Sequence, residues 1–472
     1  MEPLVGMDAA FLSLETPTTP MHIGVALVLD PPEGARSLFS PSTRYAQIRR
    51  VIEQRLHLIP PFRQRAIRVP FGLHHPVWVD DPEFDLDDHL SRASLPSPGG
   101  RAELDAFVAG VMSRQLDPDR PLWEMHVVEG LEGERTALVA KVHHAMLDGV
   151  SGASVLAAFL DVTPRTRIVE LPPEWDPAAL PSNAQLLRHA ASSLARQPGT
   201  ALSTVQAGVE AVADLGMHNR ELAGRGEKSP PGFFAAPRTS FNGAVSNRKR
   251  FAGLSVPLDD VKLVGRVFEA TVNDVILACV SGGLRRLLAS RGEQAEGSLV
   301  AMVPVSTRGE GETGELGNQI SGMLVTLHVD LEDREERLRA ISGDSSKTVV
   351  DQRLRRARIF QDVPRVLGPT LLSLAGKLLT TFGLFERLPM ANVMISSVPG
   401  PPVALWLSGR RVLSAAPYGP LLGSISLNIT VLGFEENLEF GLLGCAERIA
   451  DIQRLRDLIA EESEALIAST PS

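Results

Sequence analysis

Cysteine is scarce in this chain: its 472 residues include only Cys279 and Cys445, which lie far apart in the sequence. Neither thiol belongs to a CxxC motif, so the sequence predicts no disulfide framework and favours a reducing compartment. A structural zinc site is disfavoured for the same reason, because such sites are typically built from closely spaced cysteines.

The chain also has no excess of positive charge and no long uninterrupted apolar run. Its formal net charge of −9 disfavours a nucleic-acid partner, which would need a basic face. Residues 1–8 carry no basic segment followed by an apolar core, so we predict no signal peptide and a cytoplasmic location. The stretch nearest to a membrane-spanning helix, 366–385, is interrupted by three glycines and one proline. It predicts either a helix lying at a membrane surface or a buried helix that lines a tunnel.

Length and composition indicate an ordinary globular protein of more than one domain. Hydrophobic residues make up 44% and charged residues 22%, and 472 residues exceed what one hydrophobic core organises. Proline-rich and helical segments between about 163 and 240 separate two stretches that each mix strand and helix patterns. We therefore predict a first half at 1–165, a helical linker at 166–243 and a second half at 244–472.

Hydrophobic periodicity places strands and helices in both halves. In the first half the predicted strands are 22–30, 123–130 and 136–143, and the predicted helices are 43–58, 101–115 and 151–160. In the second half the predicted strands are 299–304, 320–330, 391–398, 411–416, 425–433 and 437–443, and the predicted helices are 271–291, 333–358, 364–385 and 449–468. The fold class that follows is mixed α/β.

The most informative motif is HHAMLDG at 143–149, which joins the strand 136–143 to the helix that follows it. Strand alternation puts His144 on the uniformly apolar face and His143 on the face of Lys141. We therefore expect His144 to point inward and His143 to be the more solvated of the two. An imidazole in an apolar cleft suits proton abstraction from an alcohol.

The same motif has one simpler interpretation. It could be a pair of ordinary histidines at a strand end, with Asp148 initiating the next helix. A metal site is disfavoured, because adjacent strand residues point to opposite faces and cannot easily chelate one ion.

Several further motifs, taken with HHAMLDG in their order along the chain, resemble one family. They are MDAAFL (7–12), PMHIG (20–24), RPLWEM (120–125), VNDVILA (272–278), VPVSTR (303–308), LGNQ (316–319) and NVMISSVPGPP (392–402). The set resembles the bacterial wax ester synthases/diacylglycerol acyltransferases, members of the CoA-dependent acyltransferase superfamily. The resemblance implies two similar chloramphenicol-acetyltransferase-like α/β domains, with mixed sheets flanked by helices and an active-site channel at their interface.

The resemblance also implies a reaction and roles for individual residues. It implies acyl transfer from acyl-CoA to a hydroxyl of diacylglycerol or a long-chain alcohol, with His144 as general base and His143 as a minor contributor. Asp148 would then support the loop, paired with Arg308, or would orient the imidazole directly, and Gly149 would allow the turn. For Asn273 two roles are open: contact with the oxyanion or acceptor, or membership of a helix-capping box formed by residues 271–274.

Other residues of these motifs have weaker assignments. Trp123, Asn318 and Gln319 would line the substrate channel, although a tryptophan before a strand is more often core. Arg248, Lys249 and Arg250 could bind the phosphates of CoA, or could be a solvated surface patch. His22 is expected to pack or position, and Cys279 to belong to the core.

Direct transfer between two bound substrates is preferred, because the chain has no GxSxG nucleophile elbow for an acyl-enzyme. No cofactor is expected, since acyl-CoA is a substrate. Because both substrates are hydrophobic, the protein is expected to associate transiently with a membrane or lipid-droplet surface. Two alternatives stay open: acyl transfer to a different nucleophile, and a non-catalytic protein that binds lipid or acyl-CoA.

Overall fold

The computed structural model describes residues 2–4, 6–31, 41–147, 149–170, 175–195, 236–293, 297–306, 320–355 and 389–470. Four predicted site residues lie outside these ranges: Asp148, Arg308, Asn318 and Gln319. The apolar stretch 366–385 and most of the predicted linker also lie outside them. No helix in the part of the chain that the structure describes is long and apolar enough to cross a membrane.

Helices flank the sheets in both halves. Those described are α1 (Gly6–Leu14), α2 (Pro41–Arg55), α3 (Arg101–Met112), α4 (Gly149–Phe159), α5 (Asn183–Ala195), α6 (Leu258–Val267), α7 (Val272–Ser290), α8 (Arg334–Arg355) and α9 (Ile452–Ala468). All the predicted helices that fall on described residues are present, whereas α1 and α6 were not predicted.

The strands fall into a small sheet and two six-stranded sheets. The strands are β1 (Glu2–Pro3), β2 (His22–Leu29), β3 (Gln64–Ile67), β4 (Val77–Asp80), β5 (Leu90–Ser94), β6 (Trp123–Glu129), β7 (Thr136–His143), β8 (Lys249–Pro257), β9 (Val300–Ser306), β10 (Ile320–Thr326), β11 (Val393–Val398), β12 (Trp406–Leu407), β13 (Arg410–Tyr418), β14 (Leu427–Phe434) and β15 (Asn437–Cys445). The sheet orders are β1-β4-β3, β12-β13-β2-β7-β6-β5 and β10-β9-β11-β14-β15-β8. Parallel and antiparallel pairs occur together in both large sheets, so the predicted mixed α/β class is confirmed.

One strand of the second half completes the sheet of the first half. β13 pairs antiparallel with β2, so residues 410–418 belong to the sheet that contains β7. The predicted boundary at 244 did not anticipate this exchange, because hydrophobic alternation identifies a strand without identifying its partner. The sheet of the first half is therefore incomplete without this part of the second half.

Close packing across β2 makes this exchange possible. The Tyr418 hydroxyl donates to the carbonyl oxygen of Ala140, 2.7 Å away, and so joins β13 to β7 across β2. A Cβ atom at Gly24 would overlap that carbonyl oxygen and the ring of Tyr418. Gly24 is therefore required by the approach of three strands.

A buried ion pair joins the end of α4 to the end of α2. Arg55 and Asp161 are almost fully buried, and the guanidinium contacts both carboxylate oxygens at 2.8 and 3.0 Å. Arg55 also donates to the Phe159 carbonyl at 2.7 Å. Asp161 in turn exchanges two backbone hydrogen bonds with Trp406 of β12, each 2.8 Å long. The pair thus anchors the end of α4, the helix after the histidine motif, to β12 and through it to β13.

The halves also meet where α3 packs on β8. The Asp105 carboxylate accepts a hydrogen bond from the backbone N–H of Gly253, and its side chain is buried. Burial raises the pKa of Asp105 to about 7, although Arg101 and Arg456 oppose the shift. The interface therefore contains a carboxyl group that prefers to be protonated in the folded protein.

We predict that Gly24→Ala lowers the free energy of unfolding by at least about 2 kcal/mol, because the added methyl must displace backbone. Gly110→Ala is the matched control, since a Cβ there meets no atom within 4 Å and the residue lies in the exposed face of α3. It should raise the free energy of unfolding by up to about 1 kcal/mol through helix propensity. Denaturant unfolding of both variants checks this, and a stable Gly24→Ala protein would contradict the packing argument.

We predict that Asp105→Asn removes a pH-dependent loss of stability. The folded pKa of about 7 lies above the ordinary value of 3.8, so the wild type loses stability as the pH rises from about 4 through 7. The asparagine variant should match the wild type near pH 4 and exceed it at pH 8 by about 1–3 kcal/mol. Thermal unfolding at the two pH values measures this, with the exposed Asp330→Asn as control. Equal pH profiles for wild type and Asp105→Asn would show that burial does not perturb this carboxyl.

Candidate active site

Backbone hydrogen bonds on both sides fix the strand that delivers the two histidines. β7 lies between β2 and β6, with His143 opposite His22 and Val142 opposite Trp123. The ladder extends one residue beyond the strand, since the His144 N–H donates to the Met21 carbonyl at 2.7 Å. The position of His144 is therefore set by the sheet rather than by a loop.

His143 is held by a turn and is buried. Its Nδ1 accepts the backbone N–H of Ala145 at 3.0 Å, so the neutral ring carries its proton on Nε2. Nε2 lies 3.5 Å from Glu15 Oε2. With its Nδ1 lone pair engaged by the turn, His143 is arranged to shape the motif rather than to accept a proton from a substrate.

The expected order of exposure of the two histidines is wrong. His143 is 1% exposed and Lys141, on the same face, is 0% exposed, whereas His144 is only half-buried. Alternation predicted which residues share a face, but β7 is covered on both faces. The second cover comes from α3 and from strands of the second half, which the local sequence does not reveal.

Burial of Lys141 is compensated by specific partners. Its ammonium lies 2.7 Å from Glu124 Oε1 and donates to the carbonyls of Val111 and Arg114 at 3.0 and 2.9 Å. Burial lowers the pKa of Lys141, and Glu124 opposes that shift. Burial would raise the pKa of Glu124, but hydrogen bonds from His126 and Lys141 outweigh it and bring this pKa to about 2.

His22 lies beside this charged group and is kept neutral. Burial, followed by the nearby cations Lys141 and Lys249 and by His143, holds the pKa of His22 well below its ordinary value. The His22 and His143 rings meet edge to face with centroids 6.1 Å apart.

Among the residues that the structure describes, no group of three His, Cys, Asp or Glu side chains could hold a metal ion.

His144 faces apolar surroundings to which both halves contribute. Its ring stacks on Phe11 of α1, with centroids 4.2 Å apart and an interplanar angle of 21°. Phe11 belongs to a cluster with Leu4, Met21 and Ala145, and Leu422 from the second half packs on that cluster. Leu422 also packs on a second-half cluster that includes Met302 and Met394. Apolar packing thus runs from beside His144 onto the sheet of the second half.

Phe11 and Leu422 were not among the predicted site residues. The available signal was the MDAAFL motif, which contains Phe11 and which the structure places in α1 against His144. Leu422 carries no local signal of its own, because its position depends on how the second half folds over the first.

The structure places Trp123 within the first-half core. Its ring is 1% exposed and stacks between Phe62 and His89, with centroid distances of 4.8 and 4.6 Å. The indole N–H donates to the Phe62 carbonyl at 2.8 Å. Trp123 is therefore a core residue, which is the alternative to a channel residue stated above. That Trp123 also lines a substrate channel stays a prediction.

Gly149 and Asn273 both lie at helix starts. Gly149 is the first residue of α4. Thr271 caps α7 in a reciprocal capping box with Asp274, so the box predicted for residues 271–274 is confirmed. Asn273 is the half-buried second residue of α7, and its contact with an oxyanion or acceptor stays a prediction.

The three adjacent cations do not form one surface cluster. Arg248 and Arg250 are exposed, and Arg248 pairs with Glu447 at 3.0 Å, whereas Lys249 is buried. The Lys249 ammonium donates to the carbonyls of Thr18 and Ser246 at 2.8 and 2.6 Å, and burial lowers its pKa to about 8. The prediction of a solvated surface patch is therefore wrong for Lys249. Strand alternation points its side chain inward, where it links β8 to the segment that follows α1.

Comparison with protein families gives two matches that together span most of the chain. Residues 4–276 match the wax ester synthase/diacylglycerol acyltransferase catalytic domain. Residues 316–466 match the C-terminal domain of the same family.

Similar proteins cover nearly the whole chain. Two proteins of Mycobacterium tuberculosis (strain ATCC 25618 / H37Rv) carry the name diacylglycerol O-acyltransferase. One is 36% identical over 475 residues, which cover 99% of this chain and 98% of the relative. The other is 33% identical over 478 residues, which cover 99% and 96%.

Solved structures agree with this fold. The wax ester synthase/diacylglycerol acyltransferase from Marinobacter aquaeolei VT8 superposes with a TM-score of 0.72 at 28% identity, covering 99% of each chain. The first condensation domain of the CDA synthetase superposes with a TM-score of 0.54 at 16% identity, covering 100% of this chain and 97% of that one. The second likeness is one of fold alone.

We predict that His143→Ala weakens both folding and turnover, because it leaves the buried Ala145 N–H without an acceptor. An unpaired buried donor costs about 1–3 kcal/mol. His143→Asn should retain most of the stability, since its Oδ1 can replace Nδ1 as acceptor. Melting temperature and kcat of the two variants test this, and equal losses in both would remove the hydrogen bond as the cause.

Proposed function

Because the chain belongs to the wax ester synthase/diacylglycerol acyltransferase family and is an acyl-CoA-dependent O-acyltransferase, we propose that its acceptor is diacylglycerol. Transfer of a long-chain acyl group from acyl-CoA would then give triacylglycerol. A long-chain alcohol is proposed as a second acceptor, giving wax ester. The apolar side chains that pack around His144 support both, since each substrate presents a hydrocarbon chain next to its reacting group.

His144 is the proposed general base. The acceptor hydroxyl gives its proton to the imidazole while its oxygen forms a bond to the thioester carbonyl carbon. Collapse of the intermediate breaks the C–S bond, and the imidazole returns the proton to the CoA thiolate. The half-buried position of His144 at a sheet end, against Phe11, is the observation that carries this assignment.

The remaining residues of the motif have supporting roles in this proposal. Asp148, paired with Arg308, would hold the turn after β7, and Asn273 would contact the oxyanion or the acceptor. No cofactor enters the reaction, since acyl-CoA is consumed. Because the acceptors are insoluble in water, we also propose that the protein works at a membrane or lipid-droplet surface.

We predict that His144→Ala lowers kcat by about 10²–10⁴-fold, the usual contribution of a general base, with little effect on melting temperature. The assay uses palmitoyl-CoA with a diacylglycerol or a long-chain alcohol, follows CoA thiol release, and identifies products by thin-layer chromatography. His143→Asn is the matched control for a change within the same motif. Near-wild-type turnover by a folded His144→Ala protein would refute the assignment of the base. If neither acceptor gives a product, the proposed substrates are refuted, while acyl transfer to another acceptor stays open.

A further inference from the structure

The hairpin formed by β3 and β4 ends in a strained and exposed turn. Phe71 has φ 59° and ψ 9°, the left-handed conformation that side-chain-bearing residues rarely adopt, and Gly72 follows with φ 63°. Phe71 is 85% exposed and Leu73 53% exposed. The turn therefore keeps a large aromatic side chain in water at a backbone position that disfavours it, and such strain often marks a functional contact.

The base of this hairpin touches the apolar cluster beside His144. Ala66 of β3 and Trp78 of β4 face each other in the ladder, and both pack on the cluster that contains Phe11. Phe71 lies five positions after Ala66, a span of at most about 17 Å for an extended chain. The hairpin thus leads from the candidate active site to an exposed apolar tip.

The chain segments at this tip carry arginine and no acidic residue, in a chain whose net charge is −9. Segment 64–76 and helix α5 contain no aspartate or glutamate. The helix lies beside the tip, because the rings of His74 and His189 are in contact with centroids 5.7 Å apart. Arg68 and Arg188 are both exposed. The local charge is therefore opposite to that of the whole protein.

We propose that this tip, defined by Phe71 and Leu73 with Arg68 and Arg188 at its sides, docks on an anionic phospholipid surface. Phe71 and Leu73 enter the boundary between headgroups and acyl chains, while the two guanidinium groups contact lipid phosphates. Docking in this way places the hairpin between the lipid layer and His144. The inference rests on the proposed use of water-insoluble substrates, and it names the surface from which they are taken.

The test measures binding of the full-length protein to vesicles of phosphatidylcholine with one-third phosphatidylglycerol. The double variant Phe71→Asn, Leu73→Asn should fold at least as well as the wild type, because asparagine tolerates left-handed backbone. It should lose at least about tenfold in vesicle affinity through lost apolar burial. Phe71→Trp in the otherwise wild-type chain should retain at least wild-type binding, since tryptophan favours the membrane interface.

Two controls separate apolar insertion from charge and from general stickiness. Ile168→Asn removes a side chain that is 99% exposed outside the hairpin, and it should leave binding unchanged. Arg68→Gln with Arg188→Gln should weaken binding to the anionic vesicles by about tenfold or more, and binding to pure phosphatidylcholine much less. Unchanged vesicle binding by the asparagine double variant overturns the proposal. So does wild-type protein that binds anionic and pure phosphatidylcholine vesicles equally well, or that binds no vesicle of either kind.

Activity measurements distinguish failure of docking from failure of the proposed function. With a short water-soluble acyl-CoA and a short alcohol, the asparagine double variant should turn over as fast as the wild type. With diacylglycerol in the anionic vesicles, its rate should fall with its vesicle affinity. Vesicle binding by a wild type that never acylates diacylglycerol would refute the proposed acceptor and leave the docking surface standing. A double variant that binds weakly but acylates vesicle diacylglycerol at the full rate would overturn the role of the tip.

Discussion

The position of β7 between β2 and β6 is the constraint on which the candidate site depends. Both edges of the strand are hydrogen-bonded, and the ladder continues to the backbone of His144. This ladder is itself stabilised by β13, which reaches in from the second half and places Tyr418 against Ala140. The imidazoles are therefore positioned by a sheet to which both halves contribute strands.

The neighbouring histidines His143 and His144 have different surroundings. On one face of β7, Lys141 forms an ion pair with Glu124 and donates to two carbonyls at the end of α3. On the same face, His143 accepts the backbone N–H of Ala145 in the turn. A low-dielectric environment makes each of these partners costly to lose, so this face is suited to structural order. On the side of His144 the surroundings are apolar and continuous across the halves, which suits a site that excludes water from a thioester. The polar and the apolar surroundings are thus separated by backbone alternation at the end of β7.

Local sequence predicted much of this arrangement because local forces decide much of it. Period-two alternation located β2, β6 and β7 closely, and the Thr271–Asp274 capping box marked the start of α7. The strand β8 and the small sheet were not predicted. β8 pairs with a strand distant in sequence, as Lys249 does with Cys445, and the strands of the small sheet are only two to four residues long. The inward turn of Lys249 and the deep burial of His143 were missed for the same reason.

The sequence by itself determined the family, the mixed α/β class and the strand-to-helix motif that carries His144, because these are written in ordered motifs and in periodicity. Only the tertiary structure decided that β13 crosses between halves, that both faces of β7 are covered, and that Phe11 and Leu422 flank the site. Side-chain pattern fixes which residues share a face. What covers that face depends on contacts between residues hundreds of positions apart, and no local pattern encodes them.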